Sequence, residues 1–394
     1  MREEIEKQVL DSVSKNILLE LATGVGKTKI ALIKTHQLWT NCDNKCTILI
    51  VVPRLVLIQT WKEEILKWGF GDMVSDISFV TYSSFIKGKS VGDIVIFDEC
   101  HHLSERCFDV IHESSYKHTL LLSASLNRNK YREIQNVFKP QKFQVSERKA
   151  IDNGILPDPK VYLIRLMLDN TRKTEVIVKN ASKRSVVRIP FAERFNTKKY
   201  SNNRIEIVCT QREYYSNLEA LTSYYERNKF VPYGLTKYLR AAGERTKYLS
   251  SIKEPVILEI LNKLKGKRTL TFCKDIAQTE KLGKNAINSK SKKSAKVLED
   301  FNNKKVNHIT SCNILDEGVN LIDCQIGVYA YLNSSEKMII QKCGRILRHK
   351  NPIFIIPYYA NSREEELMHK MCENYNKDRI IRLSYEEFIN LKEI

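Results

Sequence analysis

The sequence predicts an α/β protein with two parallel-sheet lobes and a basic, tyrosine-rich inserted element between them. Three observations carry that expectation. Short apolar runs alternate with amphipathic stretches through residues 1–158. The same alternation returns over 251–394. Between them the composition changes. Strands separated by helix-length segments argue for parallel pairing, with the sheet covered on both faces.

In the first lobe, Ile5, Val9 and Val13 recur at helical spacing, and residues 17–21 form a strand-like run. The segment after Gly26 reads as helix. Strands are expected at 47–52, 77–82, 93–98 and 119–123, with helices around 55–68, 107–114 and 130–138. In the second lobe, strands are expected at 269–273, 306–311, 326–331 and 353–357, and helices at 276–287, 294–301 and 336–347. The intervening element, 159–250, holds 17 Lys and Arg against 7 Asp and Glu between Asn170 and Ser250, over half of the chain's net +19. It also holds eight tyrosines, from Tyr200 to Tyr248. Two β-rich runs, 174–179 and 185–191, flank a polar turn at 180–184 and predict a hairpin. Helices are expected at 212–228 and 233–249.

Composition narrows the function classes. With 42% hydrophobic and 28% charged residues, the 394-residue chain has the balance of a folded protein rather than a disordered one. The run at 47–58 is broken by Pro53 and Arg54, so no stretch reaches the roughly 18 apolar residues of a membrane span. The polar start and ten scattered cysteines without a CxxC pair suit a reducing cytosol. Cys100, His101, His102 and Cys107 match no common zinc spacing, so no metal cluster is expected there. The charge excess points to a polyanion, nucleic acid first.

Two motifs carry chemistry. Residues 18–28, LLELATGVGKT, run from a strand through a glycine turn into a helix. Such a turn aims backbone N–H groups inward at an anion, and the helix dipole helps. Lys27 then reaches the β- and γ-phosphates, and the Thr28 hydroxyl suits Mg²⁺. Thr23, Gly24, Val25 and Gly26 supply the cradle. Downstream, IVIFDECH places Asp98 and Glu99 at the end of an apolar strand. One carboxylate suits a metal ion and the other an attacking water, and strand alternation would send them in different directions.

ATGVGKT at 22–28, DECH at 98–101, SAS at 123–125, GVN at 318–320 and QKCGRILR at 341–348 stand in the order of superfamily 2 helicases and translocases. The chain resembles the DExH-type DNA motors of that superfamily, among them restriction-enzyme motor subunits and bacteriophage branch-migration or recombination helicases. The resemblance implies two RecA-like lobes with ATP and Mg²⁺ between them. It implies Lys27, Glu99, Gln341, Arg345 and Arg348 as the catalytic set, with Gly318 and Asp98 completing the nucleotide and metal site and Gln8 reading adenine. It implies Ser123 and Ser125 as the link from hydrolysis to grip, and Pro53, Arg54, Thr81 and Thr310 on the nucleic-acid backbone. SAS stands for the commoner SAT, and Asn320 stands where Asp is frequent.

The residues support part of this on their own. Gln341, Arg345 and Arg348 fall on one helical face by their i, i+4, i+7 spacing, and phosphoryl transfer calls for such cations. The basic middle element, with Lys183 and Arg184 at its hairpin tip, suits a wedge at a duplex junction, or else its tyrosines pack a small core of their own. The expected activity is nucleic-acid-stimulated ATP hydrolysis by a monomer on single-stranded, forked or branched DNA, in recombination, repair or replication. An RNA helicase, a restriction-complex motor and a non-motor binding protein with a vestigial ATP site are the alternatives.

Overall fold

A computed structural model describes residues 1–88, 92–178, 198–201, 204–288, 293–312, 321–332, 346 and 349–394. In chain order the first lobe holds α1 (Arg2–Leu10), β1 (Asn16–Leu21), α2 (Lys27–Thr40), β2 (Ile48–Val52), α3 (Val56–Lys67), β3 (Ile77–Thr81), α4 (Tyr82–Phe85), β4 (Ile94–Phe97), α5 (Glu105–His112), β5 (His118–Ser123), α6 (Arg128–Phe138), β6 (Gln141–Val145) and α7 (Glu147–Asp152). Its sheet runs β3-β2-β4-β5-β1-β6, parallel throughout. The central strands, ILIVV in β2 and IVIF in β4, are buried along their whole length, as a sheet covered on both faces requires. Because all six strands run the same way, their C-terminal ends lie along one edge, where the loops carrying the motifs emerge.

The second lobe continues with β7 (Lys160–Leu166), β8 (Thr174–Val178), β9 (Lys198–Ser201), β10 (Arg204–Cys209), α8 (Gln211–Arg227), α9 (Gly234–Lys263), β11 (Thr269–Phe272), α10 (Ile276–Leu282), β12 (Ala286–Ile287), α11 (Ser294–Asn302), β13 (His308–Ser311), β14 (Ile326–Tyr329), β15 (Ile353–Tyr359), α12 (Arg363–Cys372), β16 (Ile380–Ser384) and α13 (Tyr385–Asn390). Its parallel sheet runs β12-β13-β11-β14-β15-β7-β16.

Several details differ from the sequence expectation, each for a physical reason. β7 lies within the expected linking element, yet it is inserted between β15 and β16 of the second sheet. Likewise the expected boundary at 250/251 falls inside α9, which runs on through Pro255 to Lys263. The polar edge strand β6, QKFQV, lacks an apolar run to announce it. The helix expected to 287 stops at Leu282, and 286–287 becomes β12. Gly283 sits where an added Cβ would meet the Thr310 Cγ2 at 2.8 Å, so a strand passes too close for any side chain.

β8 pairs antiparallel with β10, which also pairs with β9. The run expected to pair with β8, 185–191, and its turn with Lys183 and Arg184, lie outside the described residues. α8 is closed at its start by a capping box between Thr210 and Glu213. Apolar packing continues from Val145, Ala150, Ile151 and Leu156 into Val161, Leu163 and Phe354, so one core crosses from lobe to lobe. Among the described residues no helix is long and apolar enough to cross a membrane.

Candidate nucleotide site

The phosphate loop follows β1 and ends as the N-terminus of α2. Gly24 has φ +92° and Gly26 φ +113°, a left-handed backbone that glycine adopts without Cβ strain. Val25 between them is buried. The loop is clamped from two sides by residues that no sequence motif signals. Arg2 donates from Nε to the Val25 carbonyl and from Nη2 to the Gly24 carbonyl, both at 2.9 Å. A Cβ on Gly24 would lie 3.0 Å from Leu156 Cδ2, so the segment joining the lobes packs against the loop. Arg2 thus holds two loop carbonyls, and the Val25 N–H donates to the Ala22 carbonyl at 3.2 Å, which fixes the shape of the turn.

The acidic pair lies just beyond β4, not within it. Asp98 keeps the strand direction, its N–H donating to the Val51 carbonyl at 2.9 Å. Glu99 then turns left-handed at φ +49°, ahead of a short 3₁₀ turn at Cys100–His102. The two carboxylates therefore diverge through a strained turn rather than through strand alternation, which corrects the sequence expectation. Lys27 Nζ lies 3.6 Å from Glu99 Oε1, so the two motifs meet. His101 Nδ1 lies 3.3 Å from Glu99 Oε2 and 3.4 Å from Ser123 Oγ. Ser123 Oγ donates to the Ser125 carbonyl at 2.8 Å, which ties the SAS segment to the same corner.

Asp98 is positioned by groups outside its motif. Trp61, on α3, donates from Nε1 to Asp98 Oδ2 at 2.9 Å. Tyr82 donates its hydroxyl to the Asp98 carbonyl at 2.8 Å. Burial, with the Glu99 charge beside it, pushes the Asp98 carboxyl up to about 6, and the Trp61 hydrogen bond and the Lys27 charge oppose that rise. Behind the loop, Glu20 of β1 accepts the Leu126 N–H at 3.0 Å and pairs with Lys142 at 2.6 Å. It joins β1, β6 and the end of the SAS segment.

The remaining expected residues divide. Thr23 and Thr28 flank the loop, half-buried, with Thr28 in the first turn of α2. Pro53 and Arg54 emerge at the end of β2, on the motif edge. Thr81 sits at the end of β3, but it is buried and its hydroxyl caps α4 by accepting the Ser84 N–H at 3.3 Å. Gln8 is exposed on α1, a helix joined to α2 through Lys29 and Glu6 at 3.0 Å. Thr310 is fully buried in β13, its hydroxyl donating to the Thr279 carbonyl at 2.9 Å. That burial corrects the expectation that its side chain faces nucleic acid. Gly318, Gln341, Arg345 and Arg348 lie outside the described residues.

The donor set fits a nucleotide with a hard cation. It combines an ammonium, a hydroxyl in the first helical turn and two carboxylates, beside a loop whose backbone only glycine adopts freely.

Comparison with known proteins agrees with this geometry. Residues 2–89 match the Type III restriction enzyme, res subunit family, and residues 252–350 match the helicase conserved C-terminal domain. The DNA 3'-5' translocase XPB2 of Sulfurisphaera tokodaii is 23% identical over 368 residues, covering 86% of this chain and 76% of the relative. Among solved structures, S. cerevisiae Dbp5 bound to RNA and ADP BeF3 superposes with TM-score 0.63 at 10% identity, covering 98% of this chain and 90% of Dbp5. The helicase domain of Pyrococcus furiosus Hef gives TM-score 0.51 at 13% identity, covering 93% of this chain and 97% of that domain. Both sheets thus have counterparts in these structures, as two RecA-like lobes in the same order. The chain is a superfamily 2 helicase/translocase, a nucleic-acid-dependent ATPase.

Proposed function

We propose that this protein is an ATP-driven DNA motor that unwinds or remodels forked or branched DNA in recombination, repair or replication. The observation that carries the hydrolytic reading is the meeting of Lys27 and Glu99 at 3.6 Å beside the two left-handed glycines. DNA is favoured over RNA by the relative XPB2, a DNA 3'-5' translocase, and the chain's +19 charge suits a phosphate backbone.

In this reading Thr28 and Asp98 hold Mg²⁺, which supplies charge neutralisation at the phosphates when bound. Lys27 binds the terminal phosphates, and Glu99 orients the attacking water and takes its proton. His101 relays the state of Glu99 to Ser123. Trp61 joins Asp98 to α3, the helix that begins beside Pro53 and Arg54, which contact the DNA backbone, while buried Thr81 shapes the turn beside them. Gln341, Arg345 and Arg348, with Gly318, close the site from the second lobe, and Gln8 contacts adenine.

The test is ATPase and strand-displacement activity across single-stranded, forked, four-way-junction and duplex DNA and matched RNA. The expected result is strongest stimulation by forked or branched DNA. Equal or stronger stimulation by RNA, dependent on its 2′-hydroxyls, would overturn the choice of DNA.

A further inference from the structure

The helical hairpin of α8 and α9 ends in an exposed apolar tip that the ATP site leaves unexplained. Tyr224, Phe230, Val231, Tyr233, Leu235 and Leu239 are 57%, 90%, 54%, 81%, 54% and 60% exposed. Singly exposed apolar side chains are ordinary, but six within 16 residues at one projecting end form a patch.

The tip is also built rigidly. Asn228 Nδ2 donates to the Tyr224 carbonyl at 2.8 Å, closing α8. Gly234 N–H donates to the Val231 carbonyl at 2.8 Å, and a Cβ on Gly234 would meet the Asn228 carbonyl oxygen at 2.1 Å. Only glycine passes there. Tyr233 holds φ +60°, a left-handed backbone unfavourable for a bulky residue. Its ring gains no burial in return, which is the pattern of strain kept for a partner.

The base of the hairpin is fixed to the second lobe. Arg245 pairs with Glu219 at 2.8 Å, and Tyr215 donates to Glu219 at 2.6 Å while accepting the Arg363 N–H at 2.8 Å. Lys253, fully buried, reaches Glu364 at 2.6 Å and the Pro357 carbonyl at 2.9 Å. At 30 residues, about 45 Å at 1.5 Å per residue, α9 connects the tip rigidly to that lobe. Any rotation of the lobe carries the tip with it.

Charge selects the occupant. Arg227, Lys229, Lys237 and Arg240 border the apolar residues, against the single carboxylate of Glu226, and Lys229 Nζ lies 5.3 Å from the Phe230 ring centroid. Exposed aromatics among cations match a single strand, whose bases stack while its phosphates meet the lysines and arginines. We infer that the 224–240 tip stacks on unpaired bases at a strand junction and acts as a second nucleic-acid site, separate from the motif edge of the first lobe. This rests on the motor reading above and gives it a point of contact on the strand being displaced.

The test uses the full chain and a forked DNA carrying 2-aminopurine at the junction. Phe230→Ala and Tyr233→Ala are expected to weaken fork binding about tenfold each and to abolish the stacking change in 2-aminopurine fluorescence. ATPase without DNA is expected to stay at the wild-type level, and Phe230→Trp to bind like wild type. Tyr233→Asn separates function from folding, because asparagine tolerates the left-handed backbone. It is expected to raise the melting temperature by about 1–3 °C while weakening fork binding. Wild-type affinity and fluorescence in both alanine variants would overturn the proposal. So would loss of a wild-type dimer on Phe230→Ala with DNA binding intact, which would assign the tip to a second copy of the chain. Binding is read without hydrolysis, so the two ideas fail separately: a wild type whose ATPase ignores nucleic acid contradicts the motor reading, not the tip.

Discussion

Of the eight described non-glycine residues in left-handed backbone, Glu99 beside the phosphate loop and Tyr233 at the hairpin tip make the sharpest contrast. They are surrounded very differently. Glu99 has Lys27 and His101 within 3.6 Å, and its neighbour Asp98 is held by Trp61 and the Val51 carbonyl. Tyr233 stands 81% exposed at the end of a long helix. In the first corner the cost of an unfavourable turn is offset inside the protein, by charges and hydrogen bonds that also define the chemistry. In the second nothing internal offsets it. At Glu99 the strained turn sits among groups of the nucleotide site, and at Tyr233 it carries an exposed ring.

That contrast can be tested from its strongest consequence downward. Lys27→Ala is expected to lower kcat for ATP by about 10²–10³-fold or more with the melting temperature unchanged, since the side chain is half-buried and lost only to the site. An ATPase rate within fivefold of wild type would break the comparison at its root. Trp61→Phe removes one charge-assisted hydrogen bond from Asp98, and should raise the Mg²⁺ concentration for half-maximal ATPase about tenfold. A purely structural Trp61 would lower stability without moving that midpoint. Arg2→Ala frees the Gly24 and Val25 carbonyls and should weaken nucleotide binding about fivefold, measured with a fluorescent ATP analogue.

A separate, pH-dependent effect concerns the joint between the lobes. Glu147 is buried, lies 3.4 Å from Asn374 Nδ2 and 3.5 Å from the Tyr375 hydroxyl, and burial pushes its carboxyl up to about 7. A carboxyl raised above its unfolded value of 4.5 contributes fully below pH 4.5, and that contribution is lost as pH rises through about 7. The loss amounts to about 3 kcal/mol at most. The wild type should therefore melt several degrees lower relative to Glu147→Gln at pH 8 than at pH 5, by differential scanning calorimetry. A difference independent of pH would contradict the assignment.

Much of the fold was legible because parallel strands announce themselves as continuous apolar runs. LLLS in β5 and IVIF in β4 admit no other reading once helices separate them. The phosphate loop was legible because its chemistry is local: glycines, lysine and threonine are consecutive. What sequence could not give is what the chain brings together from afar. Arg2, Leu156 and Trp61 act on the site from 22 to 132 residues away, and an isolated arginine, leucine or tryptophan has no spacing to read. Thr310 falls on the strand read at 306–311, but its role came from the resemblance, and a strand pattern does not tell which threonine hydroxyl stays buried. β7 was hidden for another reason: it enters the second sheet from the far side of the connection, an arrangement that topology sets and local composition does not.

The central claim is that Glu99, turned out of line by its left-handed backbone, activates the attacking water while Lys27 holds the nucleotide. The most direct measurement is single-turnover ATP hydrolysis by Glu99→Gln beside equilibrium nucleotide binding on the same preparation, with forked DNA present. Binding within about threefold of wild type and hydrolysis slowed by about 10²–10⁴-fold is the predicted result. Hydrolysis within tenfold of wild type, with binding intact, would contradict it.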